Sequence, residues 1–175
     1  MLHYFSVNLN LNPLREGIDI NSYGNNRRTN IPLNDINDEL VSFIQKLNLK
    51  IVTAEIFYTI PFSTTVIHVD RYGGDYTKLN YIYGGKNSLM NWYKQKPNVV
   101  KEINKSKDYI AFVPDEVELI DKQSLPFSSI LQAGVPHNIN NFSEKRYCLS
   151  LVISRMDNSR LTMNESIEIF QPYHI

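Results

Sequence analysis

Short runs of β-branched and aromatic residues, closed repeatedly by Gly, Pro or Asn, constrain this chain more than any other feature. Residues 4–11, 49–60, 63–70, 78–83, 89–93, 109–113, 117–120 and 146–154 each read as a strand, by period-two alternation or by β-branched and aromatic enrichment. Residues 128–134 lead to a turn at His137, and residues 162–170 read as a further edge strand. The period changes only once, where Ile36, Leu40, Ile44 and Leu47 fall at helical spacing behind Asn34 or Asp35 as N-cap, with Asn48 closing the helix. Seven to nine strands with turns between them and one helix predict a mainly β fold with a flanking helix, of the sandwich or barrel kind.

The 175 residues are expected to form a single domain that buries roughly two thirds of its unfolded surface, enough to enclose a site. Residues 15–32, the Gly-rich 71–77 and the polar 94–107 read as loops. With 18 basic and 18 acidic residues, the overall balance points to neither nucleic acid nor an anionic membrane as partner. Cys148 is the only cysteine, which excludes an internal disulfide and a cysteine-rich zinc module and fits a reducing compartment. No signal-peptide pattern opens the chain, and no run approaches the ~20 apolar residues of a membrane span, so a soluble, cytoplasmic protein is expected.

Chemistry concentrates in Ser63-Thr-Thr-Val-Ile-His-Val-Asp-Arg71. Alternate residues of a strand share a face, so His68 and Asp70 converge, opposite an apolar face that carries Ile67 and Val69. A third ligand is offered by His137, in Gln132-Ala-Gly-Val-Pro-His-Asn138, and Arg146 then opens an apolar strand in which Tyr147, Leu149, Leu151 and Ile153 alternate. Two histidines and one carboxylate leave open positions on a metal and are the ligand set of non-haem Fe(II) oxygenases.

The ordered pattern His68-x-Asp70, then His137, then Arg146 resembles that of the Fe(II)/2-oxoglutarate-dependent dioxygenase family, over about residues 50–154. The resemblance implies a double-stranded β-helix, of jelly-roll or cupin-like form, across those residues, with 1–49 as N-terminal support. It implies that His68, Asp70 and His137 bind Fe(II). Arg146 would pair with the distal carboxylate of 2-oxoglutarate, a task suited to a planar fork that is always charged. Asn80, on the strand after the H-x-D pair, is a further contact for the keto acid, and Ser150 shares the face of Arg146. Trp92 and Tyr93 are candidates for a substrate wall. The implied reaction couples O₂ and decarboxylation of 2-oxoglutarate to succinate and CO₂ with hydroxylation of a C–H bond.

Three other readings stand beside this one. A non-catalytic cupin-like module binding a metal or ligand would keep the fold alone; a cupin enzyme would use the same ligands without a keto acid. A zinc hydrolase lacks H-E-x-x-H and an evident general base. Arg146 discriminates, because only the 2-oxoglutarate reading needs a cation beside the metal. The substrate is expected to be a small molecule or a peptide, which Arg27, Arg28 and Lys101 are placed to meet if their loops border the site.

Overall fold

The computed structural model describes residues 2–23, 27–70, 75–101 and 109–175; the rest of the expected loops, 24–26, 71–74 and 102–108, lies outside the described residues. Twelve strands are described: β1 (Tyr4–Ser6), β2 (Arg28–Ile31), β3 (Leu49–Thr59), β4 (Ser63–Thr64), β5 (Ile67–Asp70), β6 (Thr77–Gly84), β7 (Leu89–Gln95), β8 (Tyr109–Phe112), β9 (Val117–Gln123), β10 (Ser128–Gln132), β11 (His137–Asn141) and β12 (Arg146–Arg155). Two α-helices, α1 (Asp38–Lys46) and α2 (Met163–Phe170), accompany them. Neither is long and apolar enough to cross a membrane.

The strands form two antiparallel sheets. The first runs β1-β10-β6-β12-β3-β2 and the second β8-β5-β11-β7-β9, with β4 paired to β11. From β3 onward the chain crosses back and forth between the sheets: β3, β6, β10 and β12 lie in the first, and β5, β7, β9 and β11 in the second. This winding of paired strands between two facing sheets is the double-stranded β-helix, a jelly roll.

Alternation along each strand decides where the apolar cores lie. On β12, Tyr147, Leu149, Leu151 and Ile153 face outward into the main core with Ile56 of β3, Leu79 and Tyr81 of β6, Leu40 and Ile44 of α1, and Met163 and Phe170 of α2. A smaller core behind the second sheet joins Ile67 and Val69 of β5 to Phe112 and Val117. The opposite faces of these strands meet between the sheets, where polar and charged side chains stand beside a third apolar cluster that includes Met90 and Leu131. Leu149 is fully buried, so its truncation to Ala would cost about 2–5 kcal/mol.

The local departures from the sequence reading have identifiable causes. Residues 162–170 form α2 rather than an edge strand. Thr162 accepts from the Glu165 amide while the Glu165 carboxylate accepts from the Thr162 amide, a capping box, and Met163, Ile167 and Phe170 then repeat at helical spacing. The first helix starts at Asp38, capped by Asn37, whose side chain accepts from the Glu39 amide at 2.8 Å. A short helical turn over Leu33–Asp35 takes up the earlier candidate caps. Within the expected loop 15–32, β2 adds four residues to the edge of β3, a pairing made by backbone bonds that a sequence with a single apolar residue there does not advertise.

Candidate metal centre

His68 and Asp70 project from β5 on one face, and His137 is the first residue of β11 rather than part of a turn. Antiparallel pairing places His137 directly opposite His68, which brings the two rings to 4.5 Å between centroids. One donor atom from each of His68, Asp70 and His137 lies within 4.8 Å of the other two, and His68 Nε2 is 3.6 Å from Asp70 Oδ1. Ligands at about 2.1 Å from a common ion sit roughly 3–3.5 Å apart, so the cluster fits a divalent metal with small adjustments.

Both imidazoles are oriented by their own chain. His68 Nδ1 is 2.9 Å from the Val66 carbonyl and His137 Nδ1 is 2.8 Å from the Val135 carbonyl. A carbonyl only accepts, so each Nδ1 carries a proton and Nε2 is left as the ring atom that can ligate. Burial pulls the His137 pKa down to about 4 and the neighbouring His68 adds to the effect, so His137 is neutral at pH 7, the form that ligates. Burial alone would raise Asp70; Lys78 above all, with His137 and His68, outweighs it and holds the carboxyl at about 2.

The cluster opens into a cavity of about 110 Å³ between the sheets, lined by the three ligands, Lys78, Asn80, Arg146, Cys148 and Ser150 among others. That is several times the room one water needs. Arg146, Cys148 and Ser150 alternate along β12 toward the cavity, facing Thr59, Phe57 and Glu55 of β3. Arg146 is 3% exposed, its Nε is buried without a hydrogen-bond partner, and among the described residues no carboxylate pairs with it. Burial works against its charge, an effect that the hydrogen-bonded Cys148 sulfur partly offsets. The same burial pushes the Cys148 thiol up and keeps it protonated.

The β6–β7 turn makes room for this arginine. Gly84 and Gly85 have φ of +64° and +62°, and a Cβ on Gly85 would lie 2.6 Å from Arg146 Cβ. Ser150 Oγ donates to Asn80 Oδ1 at 2.8 Å, joining these two candidates into one polar patch of the cavity wall.

The remaining candidates lie elsewhere. Trp92 is fully buried, stacked beside His3 and Tyr4, and does not line the cavity. Tyr93 also lies off the cavity, its hydroxyl donating to Asn138 Oδ1 at 3.1 Å. The Arg28 guanidinium is held by Glu55, and Lys101 pairs with Glu116 at 2.6 Å. One residue not singled out from the sequence joins the site, Lys78, with Nζ 2.6 Å from Asp70 Oδ2; the Tyr76 hydroxyl is pushed up first by burial and then by the Asp70 carboxylate. Lys78 had left a signal, a lysine two residues before Asn80 and therefore on its inward face.

No family model and no curated protein matches the chain. Among solved structures it is similar to E. coli ycfD, at 16% identity and a TM-score of 0.38 over 67% of this chain and 28% of that one. It is similar also to a 3,4-ketoisomerase, QdtA, from Thermoanaerobacterium thermosaccharolyticum, at 12% identity and a TM-score of 0.34 over 71% of this chain and 73% of that one. An oxalate oxidase in complex with the substrate analogue glycolate aligns at 11% identity and a TM-score of 0.32 over 67% and 47%. The chain thus spans little more than a quarter of the length of ycfD. Likenesses this distant leave the fold to be read from the strand order and the chemistry from the side chains.

Proposed function

We propose that this chain is an Fe(II)- and 2-oxoglutarate-dependent dioxygenase that hydroxylates a C–H bond of a small-molecule or peptide substrate, with release of succinate and CO₂. In this reading His68, Asp70 and His137 hold the metal, and Arg146 holds the distal carboxylate of the keto acid. The observation that carries it is Arg146, a desolvated cation without a carboxylate partner among the described residues, in the same cavity as a His-Asp-His cluster. An unmatched buried charge is costly unless a ligand completes it. The iron, when bound, supplies the O₂ and redox chemistry.

The chain's own residues prepare the site for that. The carbonyls of Val66 and Val135 fix both imidazoles with Nε2 free. Three protein donors leave other coordination positions open, as a keto acid and O₂ require. The guanidinium offers a carboxylate two parallel charge-assisted hydrogen bonds, and the Asn80–Ser150 pair gives further polar contact on the same wall. A metal-binding module without a keto acid would have no use for a buried, unpaired arginine.

The test is succinate formation from 2-oxoglutarate by the purified protein. It should require Fe(II), and His68→Ala and Asp70→Ala should each abolish it. Full retention of iron-dependent turnover in both variants would overturn the assignment.

A further inference from the structure

Asp70 has two oxygens, and they meet different partners. Oδ2 is 2.6 Å from Lys78 Nζ, whereas Oδ1 is 3.6 Å from His68 Nε2. A metal ligated by both histidines would therefore take Oδ1 and leave Oδ2 with the lysine. Lys78 is 8% exposed and inward-facing on β6, with its ammonium 5.8 Å from the centre of the Phe57 ring. Its charge stays in the cavity.

Around this pair the charges do not balance. Among the described residues lining the cavity, Asp70 is the only carboxylate, against the cations Lys78 and Arg146. Glu55, the carboxylate of β3, is matched by Arg28. A divalent metal thus meets a carboxylate whose charge is already neutralised, with a second cation in the same low-dielectric space. With the metal these groups sum to a net positive charge that a dianion lowers by two.

We propose that Lys78 is a positioning residue that makes metal and dicarboxylate binding depend on each other: by clamping Asp70 Oδ2 it weakens the bare metal site and reserves tight metal binding for the state in which a dianion shares the cavity. The inference rests on the metal-centre reading above and adds the rule by which the site loads. Lys78 also steers Asp70 into single-oxygen ligation, so that the carboxylate does not occupy a second coordination position. The ligand class that fits is a dicarboxylate, with one carboxylate for Arg146 and one toward the metal; a monocarboxylate would leave one of these two without an anion. Binding coupling is reciprocal, so metal must tighten the dianion by the factor with which the dianion tightens the metal.

The experiment titrates Co(II) into metal-free protein by visible absorbance, with and without saturating glutarate, a dianion without a keto group to chelate the ion. Wild-type protein should bind Co(II) at least about tenfold more tightly when glutarate is present. In Lys78→Met and Lys78→Gln, Co(II) alone should bind more tightly than in wild type, and the glutarate enhancement should fall to within about threefold; Lys78→Arg should keep the enhancement. Weaker Co(II) binding in the neutral variants with the enhancement unchanged would reduce Lys78 to a structural support and overturn the proposal. Wild-type Co(II) binding indifferent to glutarate would also overturn it, while leaving the metal centre standing. Failure of wild type to bind Co(II) at all would overturn the metal-centre reading itself.

Discussion

Replacing Arg146 with Met should stabilise the ligand-free protein while removing its capacity for a dicarboxylate. The native guanidinium is 3% exposed, with a buried Nε that has no hydrogen-bond partner. An unsatisfied buried donor costs about 1–3 kcal/mol, and exchanging buried charge for an apolar side chain of similar volume is commonly neutral or stabilising by about 1–4 kcal/mol. Met keeps an unbranched stem against the Gly85 backbone, where Arg146 Cβ, Cγ and Cδ now lie. Against this stands the lost contact to Cys148 sulfur, worth no more than about 1 kcal/mol. The net expectation is a gain of about 1–2 kcal/mol, which at an m-value of roughly 2 kcal/mol/M moves the urea midpoint up by about 0.5–1 M. Binding should change in the opposite sense. Two hydrogen bonds to a charged group contribute about 1.5–3 kcal/mol each, so N-oxalylglycine affinity in the presence of Mn(II) should fall at least about a hundredfold. Equilibrium urea unfolding with chelator present and calorimetric titration of N-oxalylglycine measure the two effects. A variant that unfolds at lower urea than wild type, or that binds N-oxalylglycine within about threefold of it, would refute the reading of Arg146 as a cation kept for a ligand.

Gly84→Ala should cost about 2 kcal/mol or more in urea unfolding, because a Cβ there would lie 2.3 Å from the Lys145 carbonyl oxygen at a φ of +64°. Gly85→Ala should instead displace the Arg146 stem and weaken N-oxalylglycine more than Mn(II), read by the same titrations. The Glu165 carboxylate is held at about 2, below its ordinary 4.5, by the Thr162 amide, Arg155 and the Thr162 hydroxyl. A depressed carboxyl contributes stability above its unfolded value, so the anchorage of α2 should be complete above about pH 4.5 and decline as pH falls toward 2. Amide exchange of α2 across that range should show the loss, and Glu165→Gln should flatten it.

How much of this was legible in the sequence differs from element to element. The H-x-D pair, the apolar alternation of β12 and the inward set Arg146, Cys148 and Ser150 follow from a period of two and needed no tertiary information. Residues 162–170 suggest a strand because Ser166, Ile167, Glu168 and Ile169 alternate, while Thr162 and Glu165 carry the capping box that decides for helix. Trp92 had no local signal to separate a cavity wall from a core anchor.

The sequence by itself determined which residue types alternate on each strand, and hence that His68 and Asp70 share a face and that Arg146 shares one with Ser150. Only the tertiary structure decided which strands become neighbours. Register across β11 sets His137 opposite His68, and the crossing of β6 beneath β5 brings Lys78 onto Asp70. Alternation is imposed within a strand by the backbone and is visible in any short window. Pairing depends on which of many equivalent backbone edges meet, and that choice is made by the collective burial of two apolar cores behind the sheets. The partner that sets the charge of the site, Lys78, belongs to this second kind.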